Sequence, residues 1–80
     1  MKKWLRRGEL AKTLGIPQPT VKYYTSLGLF SVQNKTRHGQ FLYDLEEIKR
    51  RYSRIQEFKA KRLTIEEIKE RLKIEILIQD

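Results

Sequence analysis

Apolar residues recur at helical spacing in four places along the chain. The plainest is residues 45–58, where Leu45, Ile48, Tyr52, Ile55 and Phe58 follow one another at steps of three or four and make one buried stripe. Asp44 with Glu47 reads as a capping-box-like start for this helix, and Tyr43 with Ile48 as its hydrophobic staple. A second stripe, Ile65, Ile68 and Leu72, is opened by a capping box at Thr64 and Glu67 and a staple at Leu63 and Ile68. Upstream, Leu10, Ala11 and Leu14 share one side of a short helix over about residues 8–14, and Gly15 suits the left-handed position that ends it. No good N-cap precedes it, because Arg6 and Arg7 stand where Ser, Thr or Asp is expected. The next helix covers about residues 18–26. Val21 and Tyr24 share a face there, Pro17 and Pro19 are tolerable only before it or in its first turn, and Gly28 stops it.

Residues 30–43, "FSVQNKTRHGQFLY", have no helical period. Strand formers at both ends and a polar middle predict two short antiparallel strands around a basic loop at residues 35–39. The tail "KIEILIQD" is ambiguous: Ile74, Ile76 and Ile78 alternate like a strand, while Leu72 and Ile76 continue a helix. Two short helices around a tight glycine turn, a hairpin and two further helices make a winged helix-turn-helix. The fold expected is mainly α with a small two-stranded hairpin, four helices plus wing, in one domain over residues 1–80. In that motif the second helix enters the DNA major groove and the hairpin touches the neighbouring backbone.

The adjacent tyrosines of "PTVKYYTSLGLF" fit this frame. Neighbouring side chains on a helix point about 100° apart, so Tyr23 and Tyr24 do not share a face. Val21 and Tyr24 take the core side; Gln18, Pro19, Lys22, Tyr23 and Ser26 face away. Tyr23 then stands beside Lys22, where a nucleic acid would lie. Tyr24 buries its ring and reaches outward with its hydroxyl. The bland alternative is that both tyrosines simply pack at a rim. Gln18, in the first turn, is the candidate for a base edge, since glutamine pairs with adenine in the major groove.

Charge sharpens the picture. Residues 1–43 carry eight basic residues against Glu9 alone, and residues 44–80 carry ten basic against nine acidic. The first half looks like a footprint for a polyanion and the second like salt-laced helices. Expected i,i+4 pairs on exposed helix faces are Glu46–Arg50, Glu47–Arg51, Glu57–Lys61 and Glu67–Arg71. There is no cysteine, hence no disulfide framework or thiolate metal site. The single histidine, His38, lacks the partners of a catalytic base, so neither an enzyme nor a metal or cofactor site is expected. No apolar run reaches the roughly 18 residues of a membrane span, and "MKKWLRRGEL" lacks the apolar core of a leader. A soluble, cytoplasmic, nucleoid-associated protein follows as the expectation.

The segments "GELAKTLGIPQPTVKYYTSLGLF", "GQFLYD" and "LTIEEIKERL" together resemble the N-terminal DNA-binding domain of MerR-type transcription regulators, over about residues 7–72. The resemblance implies a homodimeric regulator that binds a pseudo-palindromic promoter element of double-stranded DNA and distorts it. It implies that Lys22, Tyr23 and Tyr24 contact the DNA backbone, that Thr20 lies near the DNA, and that Lys35, Arg37 and His38 form a basic wing loop. Some positions depart from the pattern. The wing reads Gly39, Gln40, Phe41 where Gly-Tyr-Arg is usual, with Arg37 as the substitute cation. Pro17 and Pro19 change the start of the second helix. Arg62 stands where glycine is expected, at a cost of about 1 kcal/mol if its φ is positive.

Two other binding classes use the same residues. One is an architectural DNA protein of the excisionase type, assembling head-to-tail; the other is a winged domain whose basic face docks an acidic antirepressor protein. Residues 73–80 are the candidate start of a dimerisation element. With only Ile74, Ile76, Leu77 and Ile78 left as an apolar patch, the chain is expected to be monomeric until it pairs on DNA.

Overall fold

A computed structural model describes the backbone of residues 3–78 and the side chains of residues 3–75. The elements run β1 (Trp4–Leu5), α1 (Arg7–Leu14), α2 (Gln18–Ser26), β2 (Asn34–Lys35), β3 (Phe41–Asp44), α3 (Leu45–Ala60) and α4 (Ile65–Ile78). The four helices and the wing are those expected. The hairpin has an additional partner, because β1 pairs antiparallel with β3 through Trp4↔Asp44 and Leu5↔Tyr43, while β2 pairs on the other edge through Asn34↔Leu42 and Lys35↔Phe41. The sheet order is therefore β1-β3-β2. A two-residue strand inside a run of basic residues has no alternation to announce it. Only the exposed ladder groups of β3 recruit it.

Three helices end in the same way. At the ends of α1, α2 and α3 the chain turns through Gly15, Gly28 and Arg62 at φ 72°, 79° and 61°. At each end the next amide reaches five residues back: Ile16 N–H to Ala11 O at 3.0 Å, Leu29 N–H to Tyr24 O at 2.9 Å, Leu63 N–H to Phe58 O at 3.1 Å. This is the Schellman arrangement, which satisfies carbonyls that the helix end would orphan.

The starts differ from expectation in two places. Arg6 does act as the N-cap of α1: its amide donates to Glu9 Oε1 at 3.0 Å, so half a capping box forms without a capping side chain on Arg6. At α3, Asp44 alone caps, accepting from Glu46 N–H at 3.2 Å. Glu47 turns away to Ser31, Gln33 and Arg51. The α4 capping box is complete, with Thr64 N–H to Glu67 Oε1 at 3.0 Å and Glu67 N–H to Thr64 Oγ1 at 3.2 Å. The thread from Leu72 onward continues as helix, which resolves the tail in favour of the 3.6-residue period.

One core joins all layers. Leu10 of α1, Val21 of α2, Phe30, Tyr43 of β3, Ile48 and Ile55 of α3 and Ile68 of α4 are each 1% exposed or less. Burying such a side chain is worth about 1.5–3 kcal/mol, so these contacts fix the angle of α2 against the sheet. On the outside of α3, Arg54 reaches Glu57 at 2.6 Å and crosses to Glu75 of α4, both Nε contacts lying at 3.0–3.1 Å. Glu57 thus pairs one residue short of a turn back, with Arg54, whereas Lys61 was its expected partner. The two carboxylates, Glu75 first, hold the guanidinium proton well above its ordinary affinity. No helix among the described residues is long and apolar enough to cross a membrane. Ile74 is 49% exposed, and the side chains of Ile76, Leu77 and Ile78, with which it was expected to form a patch, lie outside the described residues.

Candidate nucleic-acid interface

The α1–α2 turn and the wing enclose a concave face, and the sequence fixes both walls. On one side stands α2. Its core face is Val21 and Tyr24, which leaves Gln18, Lys22, Tyr23 and Ser26 exposed. Tyr23 is 52% exposed and Tyr24 5%, so the helical phase read from the sequence holds. On the other side stands the wing. Thr36 N–H donates to Gln40 O at 2.8 Å and Gly39 N–H to Thr36 O at 3.0 Å, with Gly39 at φ 81°. A tight turn followed by a left-handed glycine is a usual three-residue hairpin connection. It puts Arg37 and His38 at the outermost point of the wing, both exposed.

Two adjoining hollows connect these walls. One is bordered by Arg7, Lys22, Ser26 and Phe41 around a floor of Thr25, Phe30, Val32 and Tyr43. The other brings Gln18 together with Arg6, Arg7, Gly39 and Gln40. The carboxamide of Gln18 lies over Gly8 of α1, where an added Cβ would come within 3.2 Å of Nε2. The floor is rigid. Thr25 Oγ1 donates to Val21 O at 2.7 Å, so its lone proton is used and Tyr43 OH donates to it at 2.8 Å. That bond ties α2 directly to β3 of the wing.

What marks this face is its shortage of acid, Glu9 being the one carboxylate among the residues that line the two hollows. Among the described residues, Arg6, Arg7, Lys22, Arg37 and His38 make no ion pair; on α3 and α4, Arg51 and Arg54 are paired with Glu47, Glu57 and Glu75, while Lys49, Arg50, Lys69 and Lys73 are likewise unpaired but stand among acids of the same helices. Lys35 extends over the ring of Phe41, its Nζ 5.2 Å from the centroid. Phe41 itself is 42% exposed, an aromatic edge on the wing.

The residues expected from the sequence do not all meet. Gln18 and Lys22 line the concave face, with Tyr23 next to them, and Lys35, Arg37 and His38 follow on the wing. Thr20 is half-buried beside the helix start. Tyr24 packs edge-on against Phe30 at 5.2 Å, and its hydroxyl accepts from Lys59 Nζ of α3 at 3.3 Å. Its polar end therefore points along the molecule's α3 side rather than into the hollows.

Sequence reasoning missed Arg6, Arg7, Phe41 and Lys59. For the two arginines a signal existed. A cation in the first turn of a helix opposes the positive end of its dipole, so a pair of them there calls for a purpose other than stability. Phe41 and Lys59 had no such signal; tertiary packing alone brings Lys59 to Tyr24. Among the described residues no cluster of three His, Cys, Asp or Glu side chains could hold a metal.

Residues 5–74 match the family model described as "MerR HTH family regulatory protein". A crystal structure of a transcriptional regulator of the MerR family from Bacillus cereus superposes with a TM-score of 0.74 at 20% identity, covering 96% of this chain and 60% of that one. The chain thus spans 60% of the length of that regulator, and the likeness is one of fold. No curated protein matches the chain.

Proposed function

The chain belongs to the MerR HTH family of regulatory proteins, and from that premise we propose that it binds double-stranded DNA sequence-specifically through the concave face, with α2 in the major groove and the wing on the flanking backbone. The observation that carries the reading is the gathering of exposed, unpaired cations around one concave face whose long wall is a short, rigidly held helix. Nine residues at about 1.5 Å each make α2 about 14 Å long, and a major groove is about 12 Å wide. Lys22 and Arg37 contact phosphates, one from α2 and one from the wing. Tyr23 stacks on sugar or offers its hydroxyl to phosphate. Tyr24 supports that contact from the core through Phe30 and Lys59. Lys35, His38 and Thr20 lie along the same backbone. Gln18 reads a base edge, since it begins α2 at an exposed position and lines the concave face. Two copies meet on a pseudo-palindromic element, each reading one half. The face is a binding surface; no catalytic role is assigned to it.

Selection from random duplex DNA would define the cognate site, and binding to cognate and scrambled duplexes at several salt concentrations tests the roles. Lys22→Ala or Arg37→Ala is expected to weaken both duplexes alike and to reduce the salt slope by about one per contact. Gln18→Ala is expected to cost about 1–3 kcal/mol on the cognate site and almost nothing on the scrambled one. If Gln18→Ala changes both duplexes equally, or neither, specificity comes from DNA shape and the assignment of Gln18 is wrong.

A further inference from the structure

The wing has two roots, and they are held by different means. The strand that leaves it, β3, is the centre of the sheet and is bonded to α2 through Tyr43 and Thr25. The strand that enters it, β2, has two residues, both exposed, and pairs only with β3. Between buried Phe30 and the first paired residue, Asn34, residues 31–33 belong to no strand. This segment is held from the side, by α3.

Alternate residues of the segment face that helix. Ser31 Oγ donates to Glu47 Oε1 at 3.0 Å, and Gln33 Nε2 donates to Glu47 Oε2. Arg51, one turn along α3, donates from Nε to Glu47 Oε1 at 3.2 Å and from Nη1 to the carbonyl of Leu29 at 3.2 Å. Residues 29, 31 and 33 are therefore gripped by one carboxylate and one guanidinium. Spacing by two is the repeat of an extended chain, so Ser31 and Gln33 turn their side chains to one face, toward Glu47, while Leu29 contributes its backbone carbonyl to Arg51. Glu47 and Arg51 are mostly buried, with 19% and 13% of their side chains exposed. They are better shielded from solvent than the Arg54–Glu57 pair, at 37% and 50%.

We infer that Glu47, together with Arg51, is a positioning residue for the wing: it clamps the incoming strand to α3 and so sets where Lys35, Arg37 and His38 stand relative to α2. This rests on the proposed role of the wing at the DNA backbone. Glu47 itself lies on the α3 side of the segment and lines neither hollow of the concave face. Its carboxylate is occupied on both oxygens, which is why it has left the N-terminal capping position that its spacing from Asp44 suggested.

The test compares salt slopes of duplex binding, at a temperature where the variants compared are folded. The variants are Lys35→Ala/Arg37→Ala, Glu47→Leu, Glu47→Gln and Ser31→Ala/Gln33→Ala. Removing two phosphate contacts should lower the slope by about two. Glu47→Leu keeps bulk and helix propensity but accepts nothing, and is expected to lose a similar amount. Ser31→Ala/Gln33→Ala cuts the same clamp from the strand side at exposed or half-buried positions, and is expected to behave likewise even if Glu47→Leu fails to fold. Glu47→Gln is expected to keep the wild-type slope, because its oxygen still accepts from Ser31 and Arg51 and a reoriented Gln33 carboxamide accepts from its amide. Combined with Lys35→Ala/Arg37→Ala, neither clamp variant should lower the slope further. If Lys35→Ala/Arg37→Ala lowers the slope and the clamp variants do not, or if their losses add, Glu47 does not position the wing and the inference alone fails. If Lys35→Ala/Arg37→Ala leaves the slope unchanged, the wing does not hold phosphate, and the functional reading fails with it.

Discussion

Arg62 offers a perturbation whose size follows from the backbone alone. Of the three helices that end in a Schellman turn, two place glycine in the left-handed position and α3 places Arg62 there, at φ 61°. Its turn is otherwise complete, with Arg62 N–H to Lys59 O at 2.9 Å and Leu63 N–H to Phe58 O at 3.1 Å, and the arginine side chain is exposed. A left-handed L-residue costs about 1–2 kcal/mol. Glycine removes that cost but gives the unfolded chain extra freedom worth about 0.5–1 kcal/mol. The difference leaves Arg62→Gly more stable by about 0.5–1 kcal/mol. For a domain of this size 1 kcal/mol moves Tm by about 4–8 °C, so the expected rise is about 2–8 °C. Arg62→Ala is the control. It removes the same charge and keeps the strain, and at an exposed position it should stay within about 0.5 kcal/mol of the parent. Thermal melts followed by circular dichroism, with urea titrations for the free energy, measure the pair. If Arg62→Gly melts no higher than Arg62→Ala, the left-handed residue is not strained, and the turn is held by something other than the backbone bonds.

Tyr23→Ala should leave melting nearly unchanged and weaken duplex binding, whereas Tyr24→Ala loses a buried ring and should cost about 3–5 kcal/mol of stability; melting penalties in the reverse order would refute the phase assigned to α2. Glu67 is held below the usual carboxylate range by the backbone N–H of Thr64 first and by its hydroxyl second. A lowered folded pKa means its contribution is present above the unfolded value, about 4.3, and is lost as pH falls through the lower folded value. The Tm gap between the parent and Glu67→Gln should therefore narrow on acidification below about pH 4, and a gap independent of pH would show that the carboxylate does not cap. Sedimentation equilibrium of the 80-residue chain without DNA is expected to show a monomer; a tight dimer would place a dimerisation element within this chain.

Local chemistry was enough to determine the helices. Their apolar stripes, the Thr64–Glu67 box and the glycines at 15 and 28 are written in spacings of three or four residues, and each spacing acts over one turn. The same periodicity separated Tyr23 from Tyr24, because the helical angle between neighbours does not depend on what lies beyond the helix. The charge asymmetry pointed to the half of the chain in which cations face almost no acid, Glu9 being the one carboxylate of residues 1–43. Other features depend on partners far along the chain. Strand β1 forms only because β3 has a free edge 38 residues away by the Leu5↔Tyr43 pairing. The Thr25–Tyr43 bond, the meeting of Lys59 with Tyr24 and the Arg54–Glu75 bridge join elements with no shared period. Glu47 shows the competition most directly. Its spacing from Asp44 favours a local cap, yet three donors from the wing's incoming segment and α3 outweigh one backbone amide. A carboxylate goes where its oxygens find the most donors, and only the packed chain decides where those donors stand.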